Sequence, residues 1–135
     1  MNPPSFIAAS LYVAGGGALG AWLRYVAGLS LSTSAAGAAA SPFPRATLSV
    51  NVLGSLAMGL LAGWLARHGS AAEAWRLLLG VGLLGGFTTF SAFSLDLALM
   101  IERGALLGAF AYAALSVLAG VAALFLGLAL MRAAT

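Results

Sequence analysis

The chain has 135 residues, of which 62% are hydrophobic and only 7% are charged, and it has no cysteine. A soluble domain carries roughly 25% charged residues, so an ordinary water-soluble fold is excluded, and at about 20 apolar residues per crossing the length predicts about four membrane spans. The formal net charge of +3 comes from six arginines scattered singly along the chain, so no nucleic-acid partner is expected.

Four apolar runs are long enough to cross a bilayer. Because backbone amides in hydrocarbon must be satisfied within the segment, each run is predicted to be an α-helix. Residues 30–45, rich in Ser, Ala and Gly with two prolines, are predicted to connect the first two runs. The predicted fold is an all-α membrane protein with a single four-helix transmembrane domain over residues 1–135. The predicted helices cover about residues 6–29, 46–66, 75–101 and 105–131.

The second run contains one strongly polar side chain, Asn51. Burying an amide in hydrocarbon is costly unless its donors and acceptor are used. At intervals of four residues, Thr47, Asn51, Ser55 and Gly59 fall on one helical face. This stripe favours either an ion pathway or a hydrogen-bonded seam between helices, and the run alone does not decide between them.

The third run is predicted to break at mid-membrane, because paired glycines precede Thr88 and Thr89 in the sequence GLLGGFTTFSAFSLD. A break frees backbone carbonyls, which suit a small hard cation; a glycine kink satisfied by neighbouring hydroxyls is the alternative. Beyond it, Phe90 and Phe93 share a helix face. Their electropositive ring edges could line a route for a small anion, although paired phenylalanines are usually packing residues.

The fourth run carries a second polar stripe, Tyr112, Ser116 and Gly120, which favours a pathway. Arg24 and Asp96 are expected toward the same membrane side, where they would form an ion pair or extend to the headgroups. Glycine pairs four residues apart could also allow close helix packing. These pairs are Gly16/Gly20, Gly59/Gly63 and Gly104/Gly108.

The chain lacks the residues of an enzyme. Catalysis would require a nucleophile with a base, a carboxylate pair or a metal cluster. The single histidine, His68, falls in a predicted loop, and the carboxylates Glu73, Asp96 and Glu102 are scattered. No enzymatic activity is therefore expected.

The arginines are balanced across the predicted membrane. Arg67, Arg76 and Arg132 fall on one side, and Arg24, Arg45 and Arg103 fall on the other. Because an excess of Lys and Arg on one side sets orientation, this balance predicts weak or dual insertion. A protein inserted both ways can pair antiparallel with itself around a two-fold axis in the membrane plane. The alternative is that subtler cues select one orientation.

The sequence resembles the Fluc family of fluoride channels, also described as camphor-resistance-type proteins. The resemblance covers nearly the whole chain. Four stretches carry it: GGALGAWLRY at residues 16–25, TLSVNVLGS at 47–55, GGFTTFSAFS at 85–94, and Tyr112 with Ser116.

The resemblance implies an antiparallel, dual-topology homodimer in the bacterial inner membrane, with two fluoride pores. It also implies a structural Na⁺ on the two-fold axis, held by backbone carbonyls of Gly85 and Thr88 in each subunit, and a pore-entrance role for Arg24. The predicted pore residues are Thr47, Asn51, Phe90, Ser91, Phe93, Tyr112 and Ser116.

Three positions depart from the family pattern. Gly120 stands where a hydroxyl residue would continue the stripe on the fourth run, Asp96 replaces a longer glutamate, and Ala92 replaces a threonine. The function expected is passive, selective fluoride export that protects against fluoride toxicity. A small dual-topology, proton-coupled multidrug-type antiporter is the alternative, but it would be expected to need a buried glutamate in its first helix, and residues 1–72 contain none. A purely structural membrane subunit would leave the Asn51 stripe without a use.

Overall fold

A computed structural model describes residues 4–33 and 43–134, and within these ranges every regular element is helical. Four helical stretches are long and apolar enough to cross a membrane. They are Phe6–Leu31, Arg45–His68, Glu73–Glu102 and Leu106–Ala133.

The helices extend beyond the runs predicted from hydropathy. Helix α1 covers Phe6–Thr33, and α2 covers Arg45–His68. The predicted connection at 30–45 is therefore partly helical at both ends, and its central part lies outside the described residues. Polar residues at a membrane surface do not end a helix by themselves, which is why a hydropathy pattern places helix ends too early.

The third span is assembled from several helical pieces. After a short 3₁₀ turn, α3 (Glu73–Trp75) leads into a π-helix over Arg76–Leu84, which is followed by α4 (Gly85–Phe87). The backbone is extended at Thr88 (φ −78°, ψ 156°) and at Thr89 (φ −150°, ψ 119°). Helicity resumes in α5, and the fourth span is α6. These two helices cover Phe90–Glu102 and Leu106–Ala133.

Glycines bring α1 against the third span backbone to backbone. A Cβ atom on Gly16 would meet the Leu78 carbonyl, and one on Gly82 would lie 2.9 Å from the Val13 carbonyl. The third span is wider where it forms the π-helix, since the Gly85 N–H reaches back five residues to the Gly80 carbonyl. Residues without side chains make this close packing possible on both helices.

A second glycine contact joins α2 to α6. A Cβ on Gly59 would meet the Leu124 carbonyl, and a Cβ on Gly127 would meet the Leu56 carbonyl. Gly104 has another role: its φ of +74° forms the turn between α5 and α6, and no atom lies near the position of its missing Cβ. The first two predicted glycine pairs therefore lie at helix contacts, whereas Gly104 is a turn residue.

The best-buried side chains lie where α5 meets α6. Met100, Ala109 and Tyr112 form a buried cluster, and Phe93 packs against it. Large apolar side chains elsewhere, including Phe90, are exposed on the outside of the subunit. The buried cluster fixes the position of α5 directly beyond the extended residues, and the polar side chains described below lie next to it.

Candidate functional site

Asn51 on α2 holds the extended segment of the third span. Its Oδ1 accepts a hydrogen bond from the Thr89 N–H at 2.8 Å, and its Nδ2 donates to the Thr89 carbonyl at 3.1 Å. In an antiparallel sheet, two facing residues exchange the same pair of bonds. The asparagine side chain thus serves Thr89 as a neighbouring strand would, which explains how an extended backbone is tolerated between two helices.

Thr89 also caps the helix that follows it. Its Oγ1 accepts a hydrogen bond from the Ala92 N–H at 3.2 Å, the usual contact of an N-cap threonine. The same oxygen lies 3.2 Å from the Ser91 hydroxyl. On the other side, the Thr88 hydroxyl donates to the Leu84 carbonyl at 2.9 Å. The side chains around the extended segment therefore satisfy several of the backbone groups that the break would leave unpaired.

A second polar group lies one turn earlier on α2. The Thr47 hydroxyl donates to Asp96 Oδ2 at 2.7 Å, and the Tyr112 hydroxyl lies 3.4 Å from the same oxygen. These bonds join α2, α5 and α6. We call Thr47, Asn51, Thr89, Asp96 and Tyr112 the polar line, because they lie next to one another between otherwise apolar helices.

The structure does not form the ion pair expected between Arg24 and Asp96. Among residues 4–33 and 43–134, the salt bridge that is present joins Arg76 to Glu73, at 2.7 Å near the start of the third span. Asp96 Oδ2 instead accepts the Thr47 hydroxyl and lies near the Tyr112 hydroxyl. Arg24 is half-buried and lines a small cavity of about 130 Å³ that Thr47 and Thr89 also line.

Three aromatic rings are in tilted contact, one after another, beside the polar line. The Phe90 and Phe93 ring centroids are 5.6 Å apart at an interplanar angle of 38°, and those of Phe93 and Tyr112 are 5.2 Å apart at 43°. Phe93 is packed in the buried cluster, but Phe90 is 79% exposed. Most of the Phe90 side chain is therefore uncovered, in contrast to Phe93.

An open groove of about 280 Å³ lies next to the Asn51–Thr89 contact. It is lined mainly by small and polar residues of α2 and of the extended segment, with Phe90 beside them. Gly54 keeps this region narrow, since a Cβ there would meet the Thr88 methyl group. The other lining residues are Ser55, Met58, Thr88 and Leu124.

The predicted stripe on α6 is only partly joined to this region. Tyr112 is completely buried on the polar line, whereas the buried Ser116 hydroxyl has no hydrogen-bond partner within the described part of the chain. At Gly120 a Cβ would lie 3.5 Å from the Ser55 Oγ. A buried hydroxyl without a partner is costly, so Ser116 is not accounted for by packing alone.

The sequence analysis did not include Thr89 among the site residues. Its backbone is what Asn51 binds, and its side chain caps α5. The sequence does indicate the capping role, because threonine is a favoured N-cap residue whose side chain bonds a backbone N–H in the first turn of the helix. The pairing of Thr47 with Asp96 is not predicted from the sequence either, because two opposite charges suggest an ion pair between Asp96 and Arg24.

The chain is similar to known proteins over most of its length. Residues 11–128 match the profile of the family described as CrcB-like protein, Camphor Resistance (CrcB). The chain belongs to the CrcB family. The resemblance expected from the four sequence stretches is thereby confirmed.

Similar CrcB-family proteins come from several bacteria and are named "Fluoride-specific ion channel FluC". One from Novosphingobium aromaticivorans is 59% identical over 92% of this chain and 96% of its own length. One from Phenylobacterium zucineum is 56% identical over 92% of this chain and 95% of its own length. One from Caulobacter sp. strain K31 is 54% identical over 90% and 93%. The likeness therefore extends through all four spans.

Proposed function

We propose that this protein is a passive, fluoride-selective channel of the bacterial plasma membrane that lets fluoride leave the cytoplasm. The observation that carries the proposal is the polar line, a set of hydrogen-bonded side chains beside two phenylalanine rings in tilted contact, in a chain otherwise built of apolar helices. The relatives' names point to the same ion. Polar groups at this depth are costly, and a pathway gives them a use.

The anion route requires hydrogen-bond donors that replace the water around fluoride. The Asn51 amide nitrogen carries two hydrogens and gives one to the Thr89 carbonyl, which leaves the second for the anion. The unpaired Ser116 hydroxyl supplies a further donor, and Ser91 lies beside the extended segment. The 280 Å³ groove provides space for the ion next to Asn51.

The phenylalanines add selectivity without adding a fixed charge. An aromatic ring is electropositive at its edge, so rings presented edge-on attract a small anion weakly enough to release it. The packing of Phe93 against Tyr112 holds one ring in place, and Phe90 extends from it toward the groove. Larger halides would be excluded by the width of the route and by poor contact with the ring edges.

The working unit in this proposal is an antiparallel homodimer. One half of a shared pathway would present a largely exposed Phe90 side chain beside an open groove, as this chain does. The balance of three arginines on each side supports insertion in both orientations, which an antiparallel pair requires. A second subunit would then complete each route.

A structural Na⁺ fits the backbone around the break. In a continuous helix, the amides of Thr89 and Ala92 would lie four residues beyond Gly85 and Thr88 and would bond their carbonyls; here the Thr89 amide bonds Asn51 and the Ala92 amide bonds the Thr89 hydroxyl. Carbonyl oxygens suit a hard monovalent cation, and the Gly85 and Thr88 carbonyls would hold it. The ion would supply positive charge that stabilises the break at mid-membrane.

The proposal is tested by fluoride efflux from liposomes that contain the purified protein, measured with a fluoride electrode and with chloride efflux recorded in parallel. Wild-type protein is expected to release fluoride rapidly and chloride not at all. Phe90→Ile removes the ring but keeps an apolar side chain of similar size, and we expect at least a tenfold slower efflux.

Phe125→Ile is the matched control, because Phe125 is 64% exposed on α6 and is not part of the polar line. It is expected to conduct like wild type. Folded, reconstituted wild-type protein that retains fluoride would refute the proposal. Equal efflux from wild type and Phe90→Ile would refute the role of the aromatic ring alone.

A further inference from the structure

We propose that Asn51 is a positioning residue for the cation site: by binding the Thr89 N–H, it keeps that donor away from the Gly85 carbonyl and leaves the carbonyl free for Na⁺. This inference rests on the proposed function, which supplies the cation, and it assigns to Asn51 a task separate from contact with fluoride. The observations that carry it are the two bonds between the Asn51 side chain and Thr89.

The first step concerns competition for the Gly85 carbonyl. In an uninterrupted helix this carbonyl accepts the N–H four residues later, which is the Thr89 N–H. A carbonyl engaged in such a bond must give it up before it binds a cation with full strength. Asn51 Oδ1 already accepts the Thr89 N–H at 2.8 Å. The Gly85 carbonyl therefore does not have to lose this hydrogen bond when the cation binds.

The second step concerns the reach of Asn51. The asparagine is on α2, whereas Thr89 is 38 residues later in the third span, so the bonds tie two separate helices together at the break. The Thr89 backbone cannot turn helical without breaking both bonds. Asn51 therefore fixes the extended conformation in which the Thr88 carbonyl points away from a helical path.

The third step concerns the division of atoms in one amide group. Oδ1 and one Nδ2 hydrogen bond Thr89, which leaves the remaining Nδ2 hydrogen for the anion. The cation site depends on the oxygen, and the anion route depends on the nitrogen. A substitution that keeps the oxygen and removes the nitrogen separates the two tasks.

The test measures sodium-dependent thermal stability of the purified full-length protein in detergent, with Na⁺ replaced stepwise by N-methyl-D-glucamine at constant chloride. A ligand that binds only the native state raises its stability by RT ln(1 + [L]/Kd). The sodium concentration at which the rise begins therefore gives Kd, which we call the sodium midpoint. Fluoride efflux from liposomes is measured on the same variants.

Asn51→Leu removes the acceptor at nearly unchanged volume and is expected to raise the sodium midpoint about fivefold to tenfold, the cost of breaking one backbone hydrogen bond of roughly 1 kcal/mol. Asn51→Asp keeps the oxygen and is expected to have a midpoint at or below that of wild type, yet to slow fluoride efflux because it adds negative charge to the route. If the leucine variant does not fold, Asn51→Ala removes the same acceptor without added branching and should show the same weakened midpoint.

Leu53→Ala is the control, since Leu53 is two residues away on α2 and 58% exposed on another face. It should leave the sodium midpoint unchanged. A wild-type midpoint in Asn51→Leu, or in Asn51→Ala, overturns this inference and leaves the fluoride channel in place. A wild-type protein that Na⁺ does not stabilise overturns both the cation site and this inference, whereas efflux tests the channel separately.

Discussion

At the scale of single residues, Asp96 shows how a carboxylate is accommodated among apolar helices without a cationic partner. Its Oδ2 receives the Thr47 hydroxyl at 2.7 Å and faces the Tyr112 hydroxyl at 3.4 Å. Removing the donor from a buried acceptor costs about 1–3 kcal/mol, and the shorter contact contributes the larger share. Thr47 is therefore the principal partner of Asp96.

This difference predicts the order of two substitutions. Thr47→Val keeps the shape of the side chain but removes the short bond, and we expect it to lower the free energy of unfolding by about 1–3 kcal/mol. Tyr112→Phe removes only the longer contact and is expected to cost less. Denaturation by SDS in mixed micelles would compare them, with Thr47→Ser as the control that retains the hydroxyl. A larger loss for Tyr112→Phe would contradict this assignment.

The sequence identified Asn51 as a site candidate because an amide in hydrocarbon needs partners, and the structure does supply them. It did not identify which partners, since a backbone group such as Thr89 C=O is present at every position and leaves no mark in the sequence. The same limit explains Asp96: charges are visible in a sequence and suggest an ion pair with Arg24, whereas the geometry that favours a hydroxyl arises only from packing.

At the scale of helices, glycine contacts set how closely the spans approach. Hydropathy predicted the four spans, because length and apolar composition suffice for a membrane helix. It did not predict the π-helix over Arg76–Leu84. A glycine-rich apolar run has the same hydropathy pattern whether its backbone hydrogen bonds span four residues or five. The π-helix packs against α1 at Gly16, and the sequence alone does not show this contact.

Two neighbouring glycines of α1 give a matched test of this contact. Gly16→Ala puts a methyl group against the Leu78 backbone carbonyl, which cannot move as a side chain can, and it is expected to destabilise the protein by about 1–3 kcal/mol. Gly15→Ala adds the same atom where nothing lies within 4 Å, and it should be neutral or slightly stabilising. Thermal unfolding in detergent compares them. Equal stability of the two variants would show that α1 does not pack as described.

At the scale of the whole molecule, the chain offers little that would orient it in a membrane. Its four spans are joined by short connections, and its six arginines divide evenly between the two sides. With no excess of positive charge on either side, insertion in both orientations is expected.

The topology can be measured cleanly because the chain contains no cysteine. A His68→Cys variant places one thiol between the second and third spans, and in intact cells an impermeant maleimide is expected to label about half of the molecules. Adding Arg67→Gln and Arg132→Gln removes two charges from that side and should raise the fraction labelled from outside. Labelling close to none or all of the unmodified His68→Cys protein would refute dual insertion.

The two bonds on Thr89 also bear on whether the third span works as a hinge. A carrier that alternates between inward-open and outward-open states needs a backbone segment that changes its dihedral angles during each cycle. Here the extended segment is held at both its N–H and its C=O by a side chain from another helix, and its threonine caps the helix that follows. The segment is therefore held in one conformation, and a hinge at this point would have to break both bonds to Asn51 in every cycle.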